Sequence, residues 1–303
     1  MILEREDWEE AGCCFRPDTA VSEIHPGEGH YRIMEAIDEY DRLIAMDAAG
    51  EAAAHLERCL AQFEEQGDWG AQITILNEMM GFYRNQGNRE LGLAAVEKGL
   101  ALVREHRLAD TVSGGTTYLN AATTMKAFGR ARESLPYYEQ AMYAYENSLD
   151  PADYRFGGLF NNMALAYEDL EEYKKAQAYY GKAMDIMEQL RPGSILEIGV
   201  TWVNLAVLYE KWSHEEEIDG CLQKAMECFH SDEVIRDGYY AFNCRKCADT
   251  FGHFGYFRMK RELSEAAETI YGEIRRQQEK LEEVLRWLQI RSASWQQTVQ
   301  NLL

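Results

Sequence analysis

The sequence predicts an all-α solenoid of stacked antiparallel helical hairpins, and three observations carry that prediction. A motif recurs every 42 residues without a gap: Asn120, Asn162 and Asn204 sit in the matching strings YLNAATTM, FNNMALAY and WVNLAVLY. Each copy places large, small and large residues at helical spacing on one face. Only 5 prolines occur in 303 residues, which leaves long stretches able to be helical.

The register extends in both directions. One period before Asn120 stands Glu78 in LNEMMGFY, and one after Asn204 stands Lys246 in CRKCADTF. Two residues before this frame position come Leu76, Tyr118, Phe160, Trp202 and Cys244. Two after it come Met80, Ala122, Ala164, Ala206 and Ala248, and five after it Tyr83, Met125, Tyr167, Tyr209 and Phe251. The small residue lets a neighbouring helix approach closely. A breaker follows at Gly87, Gly129 and Gly255, with Glu171 and Ser213 as substitutes. A second helix then carries a mostly small position at Gly92, Ser134, Ala176 and Ile218. It continues through Val96, Tyr138, Tyr180 and Leu222 to a small position at Gly99, Ala141, Ala183, Ala225 and Ala267. Loops marked by Pro151 or Pro192 complete the αα-hairpins, and Pro136 falls early in its second helix, where a missing N–H costs least.

The string FNNMALAYEDLEEYKKAQAYYGKAM, Phe160 to Met184, resembles a tetratricopeptide repeat. Phe160, Met163, Ala164, Tyr167, Ala176, Tyr180 and Ala183 fall on the family's pattern positions. The resemblance covers roughly residues 72–272 and, weakly, the hairpin 31–65. The period is 8 residues longer than the usual 34 or so, about two extra helical turns, as in kinesin-light-chain-type repeats and some bacterial peptide-receptor solenoids.

The resemblance implies a right-handed solenoid of about six hairpins over 31–272 that binds a protein or peptide in its concave groove. It places the frame position on the groove wall, so that Asn120, Asn162 and Asn204 would hold a ligand's main chain. Each amide offers both a donor and an acceptor. The alternative is that each Asn bonds a neighbouring helix, since buried amides need partners. Asn161, Arg84, Lys126 and Lys246 are the candidates for side-chain selectivity. Groove positions at −4, −1, 0, +3, +6 and +7 carry five acids and five bases, so the chain's acidity is expected on the outer helices.

The ends are less regular. Residues 1–30 hold two prolines and no sustained period, and read as a flexible or irregular lead. Residues 31–65 read as a hairpin that breaks near Gly50. Residues 273–303 have apolar spacing suited to a capping helix, or to a self-association helix that would pair two copies as a homodimer.

Composition narrows the function. A formal net charge of −21 disfavours nucleic acid and anionic membrane as partners. No run of about 18 apolar residues exists, and the acidic start is unlike a secretory signal, so a cytoplasmic location is expected. Seven cysteines over this length argue against a disulfide framework. Cys244 and Cys247 form a C-x-x-C, but both fall on packing positions of the repeat, and the adjacent Cys13 and Cys14 cannot share one ion comfortably. Gly114–Gly115 and Gly157–Gly158 open helices, where they serve as tight connections or, less simply, as an anion site. No zinc-protease motif, phosphate loop or nucleophile elbow is present. The expectation is a binding scaffold with no cofactor and no catalysis. A peptide-responsive signalling receptor and a self-assembling structural subunit are the rivals.

Overall fold

The computed structural model describes residues 28–277, Asp47 apart, and Lys280. Its helices are α1 (Glu28–Ala45), α2 (Ala49–Gln66), α3 (Trp69–Asn85), α4 (Arg89–Glu105), α5 (Val112–Ala127) and α6 (Ala131–Ser148). They continue as α7 (Tyr154–Asp169), α8 (Tyr173–Gln189), α9 (Ile195–Lys211), α10 (Glu215–His230) and α11 (Gly238–His253), and a final helix α12 runs over 257–277. Consecutive helices pack as antiparallel pairs. Odd-numbered first helices also meet one another and form an inner layer, while even-numbered second helices lie outside, wedged between successive first helices. The arrangement is a tetratricopeptide-type α-solenoid.

Local chemistry sets the boundaries. Asp68, Thr111, Asp153 and Asp237 cap the first helices α3, α5, α7 and α11, each side chain accepting a backbone N–H of the opening turn. Between the two helices of a hairpin, Gly87, Gly129 and Gly255 all take left-handed φ of 66–86°. Glu171 and Ser213 adopt the same conformation at φ 60°, a region that costs an L-residue about 1–2 kcal/mol. The breaker positions are therefore one structural device filled by two kinds of residue. Toward the N-terminus α1 ends at Ala45 and α2 begins at Ala49, so Gly50, near the expected break, lies in the first turn of α2 and is exposed.

The small positions have measurable reasons. A Cβ on Gly92 would lie 2.8 Å from the Phe128 ring of the next hairpin, and one on Gly99 would lie 2.6 Å from Met80 Cε. Tyr138 and Tyr180 are 0% exposed between layers and are flanked by buried Ser134, Ala141, Ala176 and Ala183. Pro136 lies inside α6, within two turns of its start.

The outer helices share the acidity unevenly. The outer layer is not uniformly acidic: α4 balances Arg89, Lys98 and Arg104 against Glu90, Glu97 and Glu105, and α8 carries three lysines against two acids. The outer acid is concentrated in α2, with Glu51, Glu57, Glu64 and Glu65 against Arg58, and in α10, whose first turn holds Glu215, Glu216 and Glu217, favourably placed at a helix N-terminus.

The expected lead over 1–30 and the terminal segment beyond 277 lie almost wholly outside the described residues, as do Cys13 and Cys14.

Candidate functional site

The inner layer is crowded on every side. Helix α5 is buried without interruption from Ser113 to Met125, and the opening three turns of α9 are enclosed almost as completely. The glycine pair at the start of α5 reflects this crowding. A Cβ on Gly114 would fall 1.9 Å from the Leu108 carbonyl oxygen, and one on Gly115 2.7 Å from the Tyr145 ring. Close approach of backbone accounts for both.

The asparagines sit inside this layer, away from any open groove surface: Asn120 is 1% exposed, Asn161 and Asn162 0%, and Asn204 7%. Asn204 Nδ2 donates to Asn161 Oδ1 at 3.3 Å, tying α9 to α7. Asn162 Nδ2 donates to the Gly158 carbonyl of its own helix at 3.1 Å. That carbonyl can only accept, which fixes the amide orientation and leaves Asn162 Oδ1 without a partner among the described residues. Asn161 Nδ2 and Asn120 Nδ2 are buried and unbonded in the same way.

Two further inner-layer amides belong to this set although the frame position misses them. Asn77 is 1% exposed; its Nδ2 donates to Thr117 Oγ1 at 3.2 Å, and its Oδ1 has no partner. Asn243 donates to the Tyr239 carbonyl and leaves its Oδ1 unbonded. A signal for Asn77 was present in the sequence, since it stands two whole periods before Asn161, one residue ahead of the frame.

The selectivity candidates scatter. Arg84 is buried at 6% exposure, and its guanidinium donates to Thr124 Oγ1 at 3.2 Å across the α3–α5 seam. Lys126 is half-buried at the end of α5. Lys246 lies 5.6 Å over the Phe242 ring. The structure therefore brings Asn161 and Asn204 into contact, keeps Asn120 and Asn162 in the same layer, and sets the three cations apart.

Charge inside the layer is paired across seams. Glu168, 4% exposed, accepts from Tyr180 Oη at 3.1 Å and from Lys211 Nζ at 2.6 Å, so it joins its own second helix to the next first helix. Burial works against the Lys211 charge, but the bond to Glu168 and the fields of Glu168 and Asp169 outweigh it and raise its pKa. Glu197 accepts from Tyr239 Oη at 3.0 Å, and Glu210 meets His253 Nε2 at 2.7 Å.

Cys244 and Cys247 are 0% and 2% exposed. Burial pushes the Cys244 thiol up to about 12, which suits a packing residue and opposes thiolate chemistry. Among the described residues no group of three His, Cys, Asp or Glu side chains is placed to hold a metal ion, and no helix is long and apolar enough to cross a membrane.

No protein-family model matches the chain, and no curated protein matches it. Among solved structures it is similar to BtubC (BKLC) from P. vanneervenii, at TM-score 0.48 and 15% identity over 70% of this chain and 91% of that one. Two structures of a Podosopora anserina kinesin light chain protein with nearly identical TPR-like repeats give TM-scores of 0.44 and 0.45. Both are 16% identical over 66% of this chain and 94% of theirs.

Proposed function

We propose that this chain is a non-catalytic protein-interaction scaffold that holds an extended segment of a partner along its inner layer. The carrying observation is a register-matched pair of unbonded amide atoms. Asn204 Nδ2 and Asn161 Oδ1 close a bond between successive first helices, from the frame position to the position before it in the preceding copy. One repeat pair earlier, Asn120 Nδ2 and Asn77 Oδ1 occupy the same two positions, and neither has a partner. A donor and an acceptor so placed match a single peptide unit, whose C=O accepts from one and whose N–H donates to the other. Leaving such groups buried and unbonded costs about 1–3 kcal/mol each, which a ligand would relieve.

Burial of the amides supports a second feature, the peptide-responsive behaviour weighed from the sequence. A segment reaches them only if neighbouring first helices part, so binding and the shape of the solenoid are linked. The test compares wild type with two variants of confirmed helicity, Asn77→Ala/Asn120→Ala and Asn120→Ala/Asn162→Ala/Asn204→Ala, in affinity capture from host lysate. A partner held by wild type and lost by both variants supports inner-layer binding. A partner held equally by all three moves binding to the outer helices or the terminal segment.

A further inference from the structure

We propose that a hollow in the outer layer, between α10 and α12, binds a small apolar carboxylic acid in its ionised form. The hollow has a volume of about 400 Å³, within the usual range for small-molecule sites. Its lining is Met226, His230, Tyr256, Arg258, Met259 and Glu262. It lies apart from the inner-layer amides, so it is present whether or not they hold a partner.

Helical spacing assembles the walls. Met226 and His230 stand four apart on α10, and Arg258 and Glu262 four apart on α12. Met259 is 4% exposed and Met226 is half-buried, so two adaptable thioether side chains form the apolar part. Tyr256 adds its ring, held in place because its hydroxyl donates to Asp219 of α10 at 2.9 Å. His230 Nε2 meets Glu262 Oε1 at 2.9 Å and bridges the two helices.

Arg258 is the group left over. Opposite charges at i and i+4 commonly pair along one helix, but Glu262 is bonded to His230 instead. Arg258 makes no hydrogen bond or ion pair among the described residues, and it is exposed. A guanidinium fork beside an apolar hollow suits a carboxylate whose hydrocarbon part enters between the methionines. The register singles out this seam. In the copy before, the places of Tyr256, Arg258 and Met259 hold His214, Glu216 and Glu217, and none of the four preceding copies sets two large hydrophobic residues around a cation there. The net charge of −21 opposes anions at long range, but salt screens it over about 8 Å, so contact with Arg258 decides.

The experiment follows the methyl resonances of Met226 and Met259 in the full chain labelled with ¹³C-methyl methionine, assigned through Met226→Leu and Met259→Leu. Hexanoate, butyrate and 1-hexanol are the probes. Both resonances are expected to move with hexanoate. Its affinity should exceed that of 1-hexanol about two- to fivefold, the range of an exposed ion pair, and that of butyrate by up to about tenfold. Arg258→Gln should abolish the preference over 1-hexanol and leave helicity unchanged. No movement of either resonance up to about 10 mM hexanoate, or equal affinity for hexanoate and 1-hexanol, would overturn the proposal. A preference unchanged in Arg258→Gln would remove Arg258 as the anion's partner. Tighter binding of acetylated alanyl-alanyl-leucine than of hexanoate would assign the hollow to a chain terminus and overturn the small acid as its occupant.

Discussion

Inner and outer helices of the solenoid obey different rules. The outer helix α8 buries one stripe, Ala176, Tyr180, Ala183 and Met187, flanks it with half-buried Tyr173, Tyr179, Met184 and Ile186, and turns its polar side to water. The inner helix α5 buries thirteen consecutive residues, Ser113 to Met125, among them four threonines and an asparagine. An outer helix is thus specified by amphipathic spacing alone. An inner helix is packed on all sides, so its polar groups must bond each other, bond their own backbone, or remain unbonded. This difference makes the outer layer the architectural element and the inner layer the chemically distinctive one.

The largest expected effect comes from placing one methyl group in the inner layer. Gly114→Ala sets a Cβ 1.9 Å from a backbone carbonyl oxygen, which cannot rotate away as a side chain would. The α4–α5 connection must shift, at a cost of about 3 kcal/mol, the upper end for overpacking. Urea unfolding followed by circular dichroism measures it. A loss under 1 kcal/mol would mean that the inner layer is looser than its burial indicates, and the contrast between layers would weaken.

A smaller effect tests the ties between layers. Tyr83 of α3 donates to Glu57 of α2 at 2.9 Å, and burial, that bond and the Glu57 charge push its pKa up to about 12. The raised pKa favours the protonated phenol in the folded state. Its contribution is therefore complete below the unfolded value near 10 and is lost as pH rises from about 10 to 12, where the unfolded chain holds fewer protons. With solvent screening on the exposed Glu57 side allowed for, the loss is on the order of 1 kcal/mol, and Tyr83→Phe should flatten that part of the stability–pH curve. An unchanged alkaline slope in the variant would remove Tyr83 as its source.

Much of the architecture was legible in the sequence because the 42-residue period couples each packing choice to four others. The stripe through Val96, Tyr138, Tyr180 and Leu222 and the breakers from Gly87 to Gly255 could be read directly. Glu171 and Ser213 could be aligned with the breaker glycines, and both share their left-handed φ. The candidate site was legible only as a set of residues. Nothing in the spacing of Asn120, Asn162 and Asn204 distinguishes a side chain on a groove wall from one enclosed between helices, because both belong to the inner face. Nor does the sequence show that Asn162 would turn to Gly158 once Leu119 denied it a partner. That choice depends on how close neighbouring helices come, which the period alone does not set.

The smallest effects sharpen the comparison because Gly181→Ala repeats the Gly114→Ala exchange with opposite sign. Gly181 lies mid-helix in the outer α8, exposed, with no atom within 4 Å of where a Cβ would stand. Gly181→Ala should stabilise by about 0.8–1.0 kcal/mol, through the lower backbone entropy of the unfolded chain and with no packing cost. Ser213 is exposed in the turn between α9 and α10 at φ 60°. Ser213→Gly relieves the left-handed strain but gives the unfolded chain more freedom, so the net gain should be about 1 kcal/mol or less. The sites lie in different elements and share no partner, so the double variant should gain the sum within about 0.5 kcal/mol. Additive gains here beside a large loss at Gly114 would show that glycine serves three ends in one fold. It is required by contact in the inner layer, by φ in the hairpin turns, and by neither on the outer surface.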